Sequence, residues 1–335
     1  ALADRRGRLV AFVGNELNSP LAPLGAKIAW LRRVRPDIVA TQLLQEAGDW
    51  LYADVKAAVG AQVLSLPHAL NPRAFRPGPP ARERPIDLGA RAAPYPPWIG
   101  DDDRRRIHDL FAANAFDPPL AVDLSQDERL DRADWAAFLA RCRATVGTEA
   151  GSWWLERDDA TALAVHAFLK ARRKPGLVLP HGPRLHRLAQ RIPFGVKALA
   201  KRMLRSGPLR HEALEDPAVP FAEIVARFFA GKPRPPVYAK AIASRHLDAV
   251  GARTLQVLFP GRYCDVLTAG QHYVALSPDL SNLAEVEAIL RDPDACDRIT
   301  EAALAHVLDR HTHAHRIAAL LQALDSLGAR DRAAG

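Results

Sequence analysis

The stretch from residue 244 to residue 282 constrains the fold of this chain more than any other part of it. It begins with a short helical pattern in which Leu247 and Val250 share one face. A β-branched and apolar run at 254–259 stops at a Pro-Gly pair, and a second short apolar run follows at 273–276. Another helix is expected to start near Leu283. This order of helix, strand, loop, strand and helix predicts a parallel α/β sheet.

Polar side chains of this stretch cluster at the predicted strand ends and turns. They are Arg245, His246, Asp248, Arg262, Tyr263, Asp265, Gln271, His272 and Tyr273. Ligands of open α/β sheets bind at the carboxyl ends of the strands, so we expect the binding site here. Arg245 is the candidate for binding a diphosphate, since a guanidinium binds phosphate oxygens through two hydrogen bonds. The alternative is an ion pair between Arg245 and Asp248 that orders the helix.

Several separated blocks of the same stretch resemble a known signature. They are Ser-Arg-His-Leu-Asp-Ala at 244–249, Gly261-Arg262-Tyr263, His272-Tyr273, Leu276, Asp279 and Ser281-Asn282. In this order they resemble the C-terminal signature of the CgeB-like, spore-maturation-type glycosyltransferases, within the group-one glycosyltransferases of GT-B fold. The family pattern has one more residue between the serine and the arginine. The resemblance implies two Rossmann-like domains with parallel sheets and a nucleotide-sugar site in the cleft between them.

The resemblance also implies roles for single residues. Asp248 occupies the acidic position whose glutamate contacts the ribose hydroxyls of the donor in the broader group, a contact that suits a carboxylate. The other matched residues implied in donor binding are His246, Gly261, Tyr263, His272 and Tyr273. For His272 and Tyr273, at the start of a predicted strand, a position in the core or in the cleft lining is the alternative. The broader group often has an E-x7-E pattern, whose first position is Lys240 here. The donor-sugar contact and the general base therefore stay unassigned, and the broader group favours retention of the anomeric configuration.

A second block, Val-Gly-Thr-Glu-Ala-Gly-Ser at 146–152, follows a short apolar run. Its two glycines predict a tight turn after a strand, and exposed backbone N–H groups in such a turn can bind a phosphate or a sugar. An ordinary turn is the alternative. The block resembles the L-G-x-E-[SA]-G-[SA] block of the same family, which implies donor-site roles for Glu149 and Gly151. Glu149 contacts the donor or the acceptor, or it binds its own loop.

The first part of the chain predicts a β-α-β-α-β unit. Strand patterns at 9–13, 37–40 and 62–66 alternate with helical patterns at 25–33 and 45–59. Because this unit is short for such a domain, we expect residues 1–78 to be an incomplete N-terminal Rossmann-like domain on the acceptor side. A proline- and arginine-rich connector at 66–85 resembles the segment with which GT-B enzymes leave the first domain. Its His68 is a candidate for lining the cleft.

The second domain is expected at 79–310, with its first strand at 86–91 and a helical insert at about 153–243. Residues 311–335 are expected to form a C-terminal helix and tail. GT-B proteins generally place such a helix back across the first domain, so the resemblance implies that packing here.

The net charge of the chain indicates which classes of partner it binds. Its 335 residues carry a formal net charge of +8, mostly from arginine, with a sequence pI of about 9.7. This charge suits a nucleotide-sugar diphosphate, an anionic membrane surface or nucleic acid. The segment 174–213 interleaves basic and apolar residues, which suits peripheral contact with the inner face of a membrane or a helical face with solvated charges. No nucleic-acid motif supports the third partner.

The sequence gives little support for a metal site or for a disulfide bond. Asp101-Asp102-Asp103 matches a metal-binding D-x-D, but the acids precede a helical pattern, and we expect them to serve its N-terminus. On a helix only His311 and His315 of a His-x-His-x-His run share a face. The three cysteines are widely spaced, which fits a reducing cytoplasm. We therefore expect no metal and no cofactor beyond the nucleotide-sugar co-substrate.

The leading hypothesis is thus a metal-independent, hexosyltransferase-like enzyme of GT-B fold. It moves a sugar from a nucleotide-diphospho-sugar to a glycan, lipid-linked or protein acceptor. The alternative is a catalytically inactive GT-B scaffold that acts as a binding module, which the lysine at position 240 favours. A basic nucleic-acid-binding protein is the third reading.

Overall fold

Two parallel α/β sheets form the framework of this chain, and a computed structural model describes them. The described residues are 5–125, 130–172, 219–232 and 237–334, with the backbone alone described at 178–179, 210–211 and 330–334. The predicted α/β fold class with two parallel-sheet, Rossmann-like units is confirmed.

The first sheet has three parallel strands in the order β1-β2-β3. Its elements are β1 (Val10–Val13), α1 (Leu24–Val34), β2 (Ile38–Thr41), α2 (Gln45–Leu51), α3 (Ala53–Val59) and β3 (Gln62–Ser65). The central strand β2 is β-branched at three of its four positions and buried throughout, as a strand covered on both faces must be. The helix expected over 45–59 is two helices, because the backbone at Tyr52 departs from helical geometry.

The second sheet has five parallel strands in the order β12-β11-β6-β4-β5. The strands are β4 (Ile86–Arg91), β5 (Val122–Ser125), β6 (Cys142–Gly147), β11 (Leu255–Leu258) and β12 (Val274–Ala275). Five helices flank it: α4 (Asp103–Ala113), α5 (Arg132–Arg141), α8 (Ser244–Gly251), α9 (Leu283–Arg291) and α10 (Pro293–Arg310). The helix-strand-strand-helix order that the sequence predicts for 244–291 is confirmed by α8, β11, β12 and α9.

A small antiparallel pair connects the two sheets. It consists of β7 (Ala150–Ser152) and β10 (Ala239–Ala241), with Gly151 opposite Lys240. Ala239 and Ala241 are buried in the same apolar cluster as the core of the first sheet. The pair therefore packs against the first sheet although both of its strands come from the part of the chain that forms the second sheet.

The expected insert contains α6 (Ala160–Ala171) and α7 (Phe221–Phe228), which pack with Trp98 and Trp154 in a separate aromatic cluster. Two short strands, β8 (Val178–Leu179) and β9 (Arg210–His211), pair in parallel. Apart from these two strands, the basic segment predicted at 174–213 lies outside the described residues. No helix within the described part of the chain combines the length and the apolar character that a membrane crossing needs.

The connector that follows β3, residues 66–85, packs against the second sheet at its C-terminal end. Arg84, only 3% exposed, donates to the carbonyls of Cys142 and Ala252 at 2.9 and 3.0 Å and to the Thr254 hydroxyl at 3.1 Å. These bonds hold its end against β6 and β11. Arg84 lies in the range predicted for the second domain, and its buried hydrogen bonds make the end of the connector part of the core of the second sheet.

The last helix, α11 (His313–Ala334), begins against the same connector. The N–H of Leu70 donates to the carbonyl of His311 at 2.9 Å, and the N–H of His313 donates back to the carbonyl of Leu70 at 3.3 Å. Arg316 donates to the carbonyl of Pro67 at 3.0 Å. These contacts hold the start of α11 beside the point where the chain leaves β3.

Candidate functional site

A cleft lies where the carboxyl ends of both sheets face each other. Its large chamber, of about 810 Å³, is lined by Asn15 after β1, His68 after β3, Arg91 at the end of β4 and Asp131 after β5. Arg245 near the start of α8 completes this wall. Strand carboxyl ends are where open α/β sheets bind ligands, so the topology places a binding site here.

A small chamber of about 280 Å³ continues from the large one. The two chambers share Asn15, His68, Ser244 and Arg245. The small chamber extends between the loops of the first sheet and the β7–β10 pair, whose Gly151 lines it. The predicted cleft residues His68, Gly151 and Arg245 therefore lie in one continuous space.

Helix α8 presents its first two turns to the large chamber. Ser244, Arg245 and Asp248 line it, and the spacing of three places Arg245 and Asp248 on one helix face. The N-cap residue Ala243 supplies no side-chain acceptor to the helix end. A helix N-terminus with an arginine beside it is a favourable place for phosphate oxygens.

Asp248 is a half-buried carboxylate at the wall of the chamber. Its Oδ2 accepts a hydrogen bond of 3.1 Å from Nε1 of Trp135, another lining residue. Burial raises the pKa of Asp248 to about 6, while the Trp135 hydrogen bond and the positive charge of Arg245 act in the opposite direction. Above that pH the carboxylate is ionised and accepts hydrogen bonds from sugar hydroxyls.

Further arginines give the cleft a positive wall. Arg91 pairs with Asp123 at 2.8 Å, and its guanidinium lies 4.1 Å from the centre of the Phe138 ring. Arg104, in the small chamber, stacks over the ring of Tyr95 at 3.9 Å. These contacts hold both guanidinium groups in place. The net positive charge of the chain is thus concentrated in part at a cavity that suits an anionic ligand.

Glu149 lies behind the cleft wall rather than in the cleft. Its Oε1 accepts the N–H of Tyr263 at 2.7 Å and its Oε2 accepts the hydroxyl of Tyr238 at 2.9 Å. Burial raises its pKa. A Cβ on Gly261 would lie 2.3 Å from Oε2, so only glycine fits there. The Glu149 carboxylate thus binds its own loop region, as the alternative describes. The donor contacts of Glu149 and Gly261 stay predictions.

Four more predicted donor residues are buried beneath the cleft wall: His246 and Tyr263, and the pair His272 and Tyr273. The ring of His246 is hydrogen-bonded to Gln256 Oε1 at 2.8 Å and to the carbonyl of Thr148 at 3.1 Å, and burial lowers its pKa to about 4. Tyr263 is fully buried and donates its hydroxyl to the carbonyl of Phe259 at 2.7 Å. Internal partners thus occupy the polar side-chain atoms of His246 and Tyr263, and their contact with a donor stays a prediction.

The pair His272 and Tyr273 belongs to the same buried layer. His272 stacks on His306 at 4.3 Å and accepts the N–H of Thr268 at 3.1 Å. Tyr273 is 1% exposed and packs against the ring of Tyr263 at 5.2 Å. Tyr263 and Tyr273 thus belong to the buried cluster that packs under α8. The donor contact of His272 and Tyr273 stays a prediction.

The acidic run at 101–103 forms a buried ion-pair cluster. Lys240 Nζ lies 3.0 Å from Asp101 Oδ1 and 3.0 Å from Asp103 Oδ2, and it stacks over the Trp153 ring at 3.6 Å. The N-cap residue Asp102 makes no side-chain capping bond, so the expected capping role is wrong for that residue. Lys240 therefore neutralises two buried acids instead of contacting a donor.

The histidines at the start of α11 have internal partners too. His311 Nδ1 accepts from Arg316 at 3.1 Å, and His315 Nδ1 accepts the N–H of Thr312 at 3.2 Å. Within the described ranges, no three histidine, cysteine, aspartate or glutamate side chains are grouped so as to hold a metal ion.

Sequence reasoning missed several lining residues. Trp135 lies on α5, and its apolar character alone favours a core position over the cleft wall. Arg91 ends a predicted strand, and this position alone is a signal that points to the cleft. Glu16 lies in the proline-containing loop after β1 and lines the small chamber. Its carboxylate accepts the hydroxyl of Thr41 at 2.5 Å.

Comparison with known proteins finds a family model that matches one part of the chain. Residues 233–322, which contain α8, the two strands after it and the start of α11, match a family model described as glycosyl transferase-like. A search of proteins with curated functions finds no match.

Solved glycosyltransferase structures resemble the chain at low identity. Sucrose-phosphate synthase from Thermosynechococcus elongatus matches at 14% identity and a TM-score of 0.40, over 93% of this chain and 63% of that one. An alpha-glucosyltransferase in complex with UDP-glucose and DNA containing an abasic site matches at 11% and 0.47, over 97% and 74%. Anabaena HepE in complex with UDP and glucose matches at 11% and 0.41, over 96% and 72%. The chain thus spans 63% of the length of the synthase, and we transfer no site residue from these structures.

Proposed function

We propose that this chain is a glycosyltransferase that moves a sugar from a nucleotide-diphospho-sugar to an acceptor in the cleft. One observation carries the proposal: Arg245 and Asp248 line a chamber of about 810 Å³ at the carboxyl ends of two parallel sheets, side by side on the first turns of α8. The match of residues 233–322 to a glycosyl transferase-like family supports it, because that range contains α8.

The diphosphate and the ribose of the donor each have a partner with suitable chemistry in this proposal. The diphosphate binds at the N-terminus of α8 and to Arg245, where the leaving group gains negative charge during transfer. Asp248 accepts hydrogen bonds from the ribose hydroxyls. Because arginines neutralise the leaving group, the proposed transfer requires no metal ion.

The finer assignments belong to the same proposal. The signature blocks at 244–282 support a CgeB-like, hexosyltransferase-like enzyme with a glycan, lipid-linked or protein acceptor. The three cysteines are free thiols, which supports a cytoplasmic location. Contact of the basic segment 174–213 with the inner face of a membrane remains a proposal that rests on its composition alone.

A catalytically inactive nucleotide-sugar-binding module is the second candidate. The observation that favours it is Lys240, which occupies the first position of the E-x7-E pattern and is buried in its ion pairs with Asp101 and Asp103. An inactive module binds the nucleotide but releases no sugar from it. Hydrolysis of the bound donor over hours therefore separates the two candidates.

Thermal unfolding in the presence of UDP, GDP, ADP and their sugar conjugates tests the proposal. UDP-glucose comes first, since two of the compared structures contain it or its parts. A ligand at 100 times its Kd stabilises the folded protein by about 2.7 kcal/mol. We expect a rise in Tm with one nucleotide, its loss in Asp248→Ala and its preservation in Asp325→Ala, an exposed acid on α11. If no nucleotide changes the Tm of the wild type, the proposed function is wrong.

A further inference from the structure

Trp135 lines the large chamber, and the proposed donor contacts assign no task to its indole. It lies near the start of α5, where the side chain of Asp131 caps the helix by accepting the N–H of Asp134 at 2.9 Å. The indole stacks on Phe138, with 5.8 Å between the ring centres. It also packs against two apolar clusters, one under α8 and one beside β4 and β6. These contacts hold the ring in one place.

Helices α5 and α8 are fixed to each other by their buried side chains. Leu139 of α5 shares one apolar cluster with Leu247 and Val250 of α8, and all three are at most 2% exposed. Buried side chains of this kind pack densely and allow little relative movement of the helices. The hydrogen bond of 3.1 Å from Trp135 Nε1 to Asp248 Oδ2 therefore joins two groups on rigidly packed elements.

The two carboxylate oxygens of Asp248 have different surroundings. Oδ2 accepts the indole N–H of Trp135. Oδ1 accepts no hydrogen bond from the described residues, and these residues do not enclose it. Because Asp248 lines the large chamber, Oδ1 is the oxygen that a hydroxyl of a ligand can reach. The indole thus determines which oxygen is available and how the carboxylate plane is oriented.

The indole also favours the charged form of the carboxylate. Burial raises the pKa of Asp248 to about 6, and the Trp135 hydrogen bond opposes that rise. The other charged or titratable groups that line the same chamber or act on this carboxylate are Arg91, Asp131, Arg132, Arg245, His68 and His313. Of these, Arg245 and Arg132 act on the pKa of Asp248 in the same direction as the indole. Removal of the indole N–H is therefore expected to raise the pKa of Asp248 further.

We propose that Trp135 is a positioning residue of the donor site: its indole N–H holds Oδ2 of Asp248 and leaves Oδ1 to accept a hydroxyl of the nucleotide sugar. Trp135 acts through Asp248 and needs no contact of its own with the ligand. This inference rests on the proposed function, because it assumes that Asp248 binds the donor.

Calorimetric titration between pH 5 and pH 9 tests the inference, with the nucleotide sugar that stabilises the wild type. A free nucleoside diphosphate is unsuitable, because its terminal phosphate titrates at about pH 6. Trp135→Phe keeps an aromatic ring but removes the N–H. We expect its Kd at pH 7 to rise about 10-fold, as for the loss of a hydrogen bond to a charged group. Trp50→Phe, at a half-exposed indole on α2, is the matched control and is expected to keep the wild-type Kd.

The pH dependence separates this role from a merely structural one. The wild type is expected to lose affinity as the pH falls through about 6, where Asp248 takes up a proton. In Trp135→Phe the same loss is expected at a higher pH, because the pKa of Asp248 is higher without the indole N–H.

Trp135→His tests whether the N–H itself matters. When the imidazole takes the place of the five-membered ring of the indole, its Nε2 overlays the indole Nε1. This variant is smaller than Trp135→Phe but again has an N–H for Asp248 Oδ2. It is expected to restore most of the affinity at pH 7, which loss of packing alone would not allow.

A measurement on the ligand-free wild type requires no variant at Trp135 that folds. The NMR resonance of the Trp135 indole N–H is expected to shift as the pH passes through about 6, since its acceptor gains a proton there. The same resonance is expected to show no such transition in Asp248→Ala.

Four results overturn the role of Trp135. They are a wild-type Kd in Trp135→Phe, an affinity loss at the same pH as in the wild type, a histidine variant as weak as the phenylalanine variant, and an indole resonance that does not respond to Asp248. Each leaves the proposed function standing as long as the nucleotide sugar binds the wild type. A wild type that binds no nucleotide sugar overturns both proposals together.

Discussion

Asp248 shows at the scale of one residue how burial of a charged side chain lowers the stability of the folded protein. Its carboxylate lies between the solvent-filled chamber and the apolar layer under α8, with the indole of Trp135 as a hydrogen-bond donor. Burial disfavours its charged form, and this is why the pKa rises to about 6. The Asp248 carboxylate is thus mostly charged at neutral pH, at a cost to the stability of the folded state.

Replacement of Asp248 by asparagine is expected to stabilise the protein at high pH. The unfolded chain releases the proton near 3.8 and the folded one near 6, so this group lowers the stability of the wild type as the pH rises through that window. The asparagine variant escapes this loss, which amounts to about 3 kcal/mol at 1.36 kcal/mol per pKa unit. Guanidinium unfolding at pH 4 and at pH 8 measures the difference.

The expected gain of Asp248→Asn is largest at pH 8 and small at pH 4. Asp325→Asn, on the exposed face of α11, is the matched control and is expected to change stability equally at both values. An equal effect of Asp248→Asn at both values would contradict the raised pKa.

Helix α1 shows at the scale of an element how one helix depends on a residue that is distant in the sequence, at the start of α6. Its N-cap residue Pro23 offers no side-chain acceptor, and its first turn contains no acid. Asp159, from the start of α6, supplies the cap instead: its carboxylate accepts the N–H groups of Leu24 and Gly25, both at 3.0 Å. It also accepts the hydroxyl of Ser19. A cap that normally comes from a helix's own sequence comes here from a distant element.

Asp159→Ala is expected to destabilise the protein by about 1–2 kcal/mol, the upper part of the range for the loss of an N-cap. The loss is expected to appear locally as faster amide exchange at Leu24 and Gly25, measured by NMR. Asp158→Ala removes the neighbouring carboxylate, which bonds the N–H of Ala160 at 2.8 Å. This control is expected to leave amide exchange at the start of α1 unchanged. Equal effects of the two variants on that exchange would refute the role of Asp159 as the cap of α1.

The whole molecule is held together around its cleft by buried charges. Lys240 lies on β10, which packs on the first sheet, while its partners Asp101 and Asp103 lie at the start of α4 beside the second sheet. Burial raises the pKa of Asp101 to about 7, and the positive charge of Lys240 opposes that rise. The cluster therefore links the two sheets through charges that only their mutual contact neutralises.

Lys240→Met is expected to cost about 3–5 kcal/mol, the range for removal of one partner from a buried ion pair. The methionine fills most of the lysine volume but leaves Asp101 and Asp103 without their cation. Adding Asp101→Asn and Asp103→Asn to this variant is expected to restore much of the stability, since no uncompensated charge remains. Urea unfolding of the single and triple variants measures this, and a single variant as stable as the wild type would contradict the role of the cluster.

The sequence by itself determined the elements and their order. Runs of β-branched and apolar residues, such as Ile-Val-Ala-Thr at 38–41 and Leu-Gln-Val-Leu at 255–258, indicate strands from the sequence alone. Glycines and prolines between them mark where the strands end. Because ligands bind at the carboxyl ends of parallel strands, this order alone also predicted the location of the cleft.

Only the tertiary structure decided which polar side chains reach the cleft. Arg245 and His246 are neighbours in the sequence, yet one lines the chamber and the other is buried, because Gln256 and Thr148 bind the ring of His246 from other strands. Glu149 is likewise occupied by Tyr238 and Tyr263, far away along the chain. Burial and hydrogen bonds between distant residues determine these assignments, and a local sequence pattern contains no information about either.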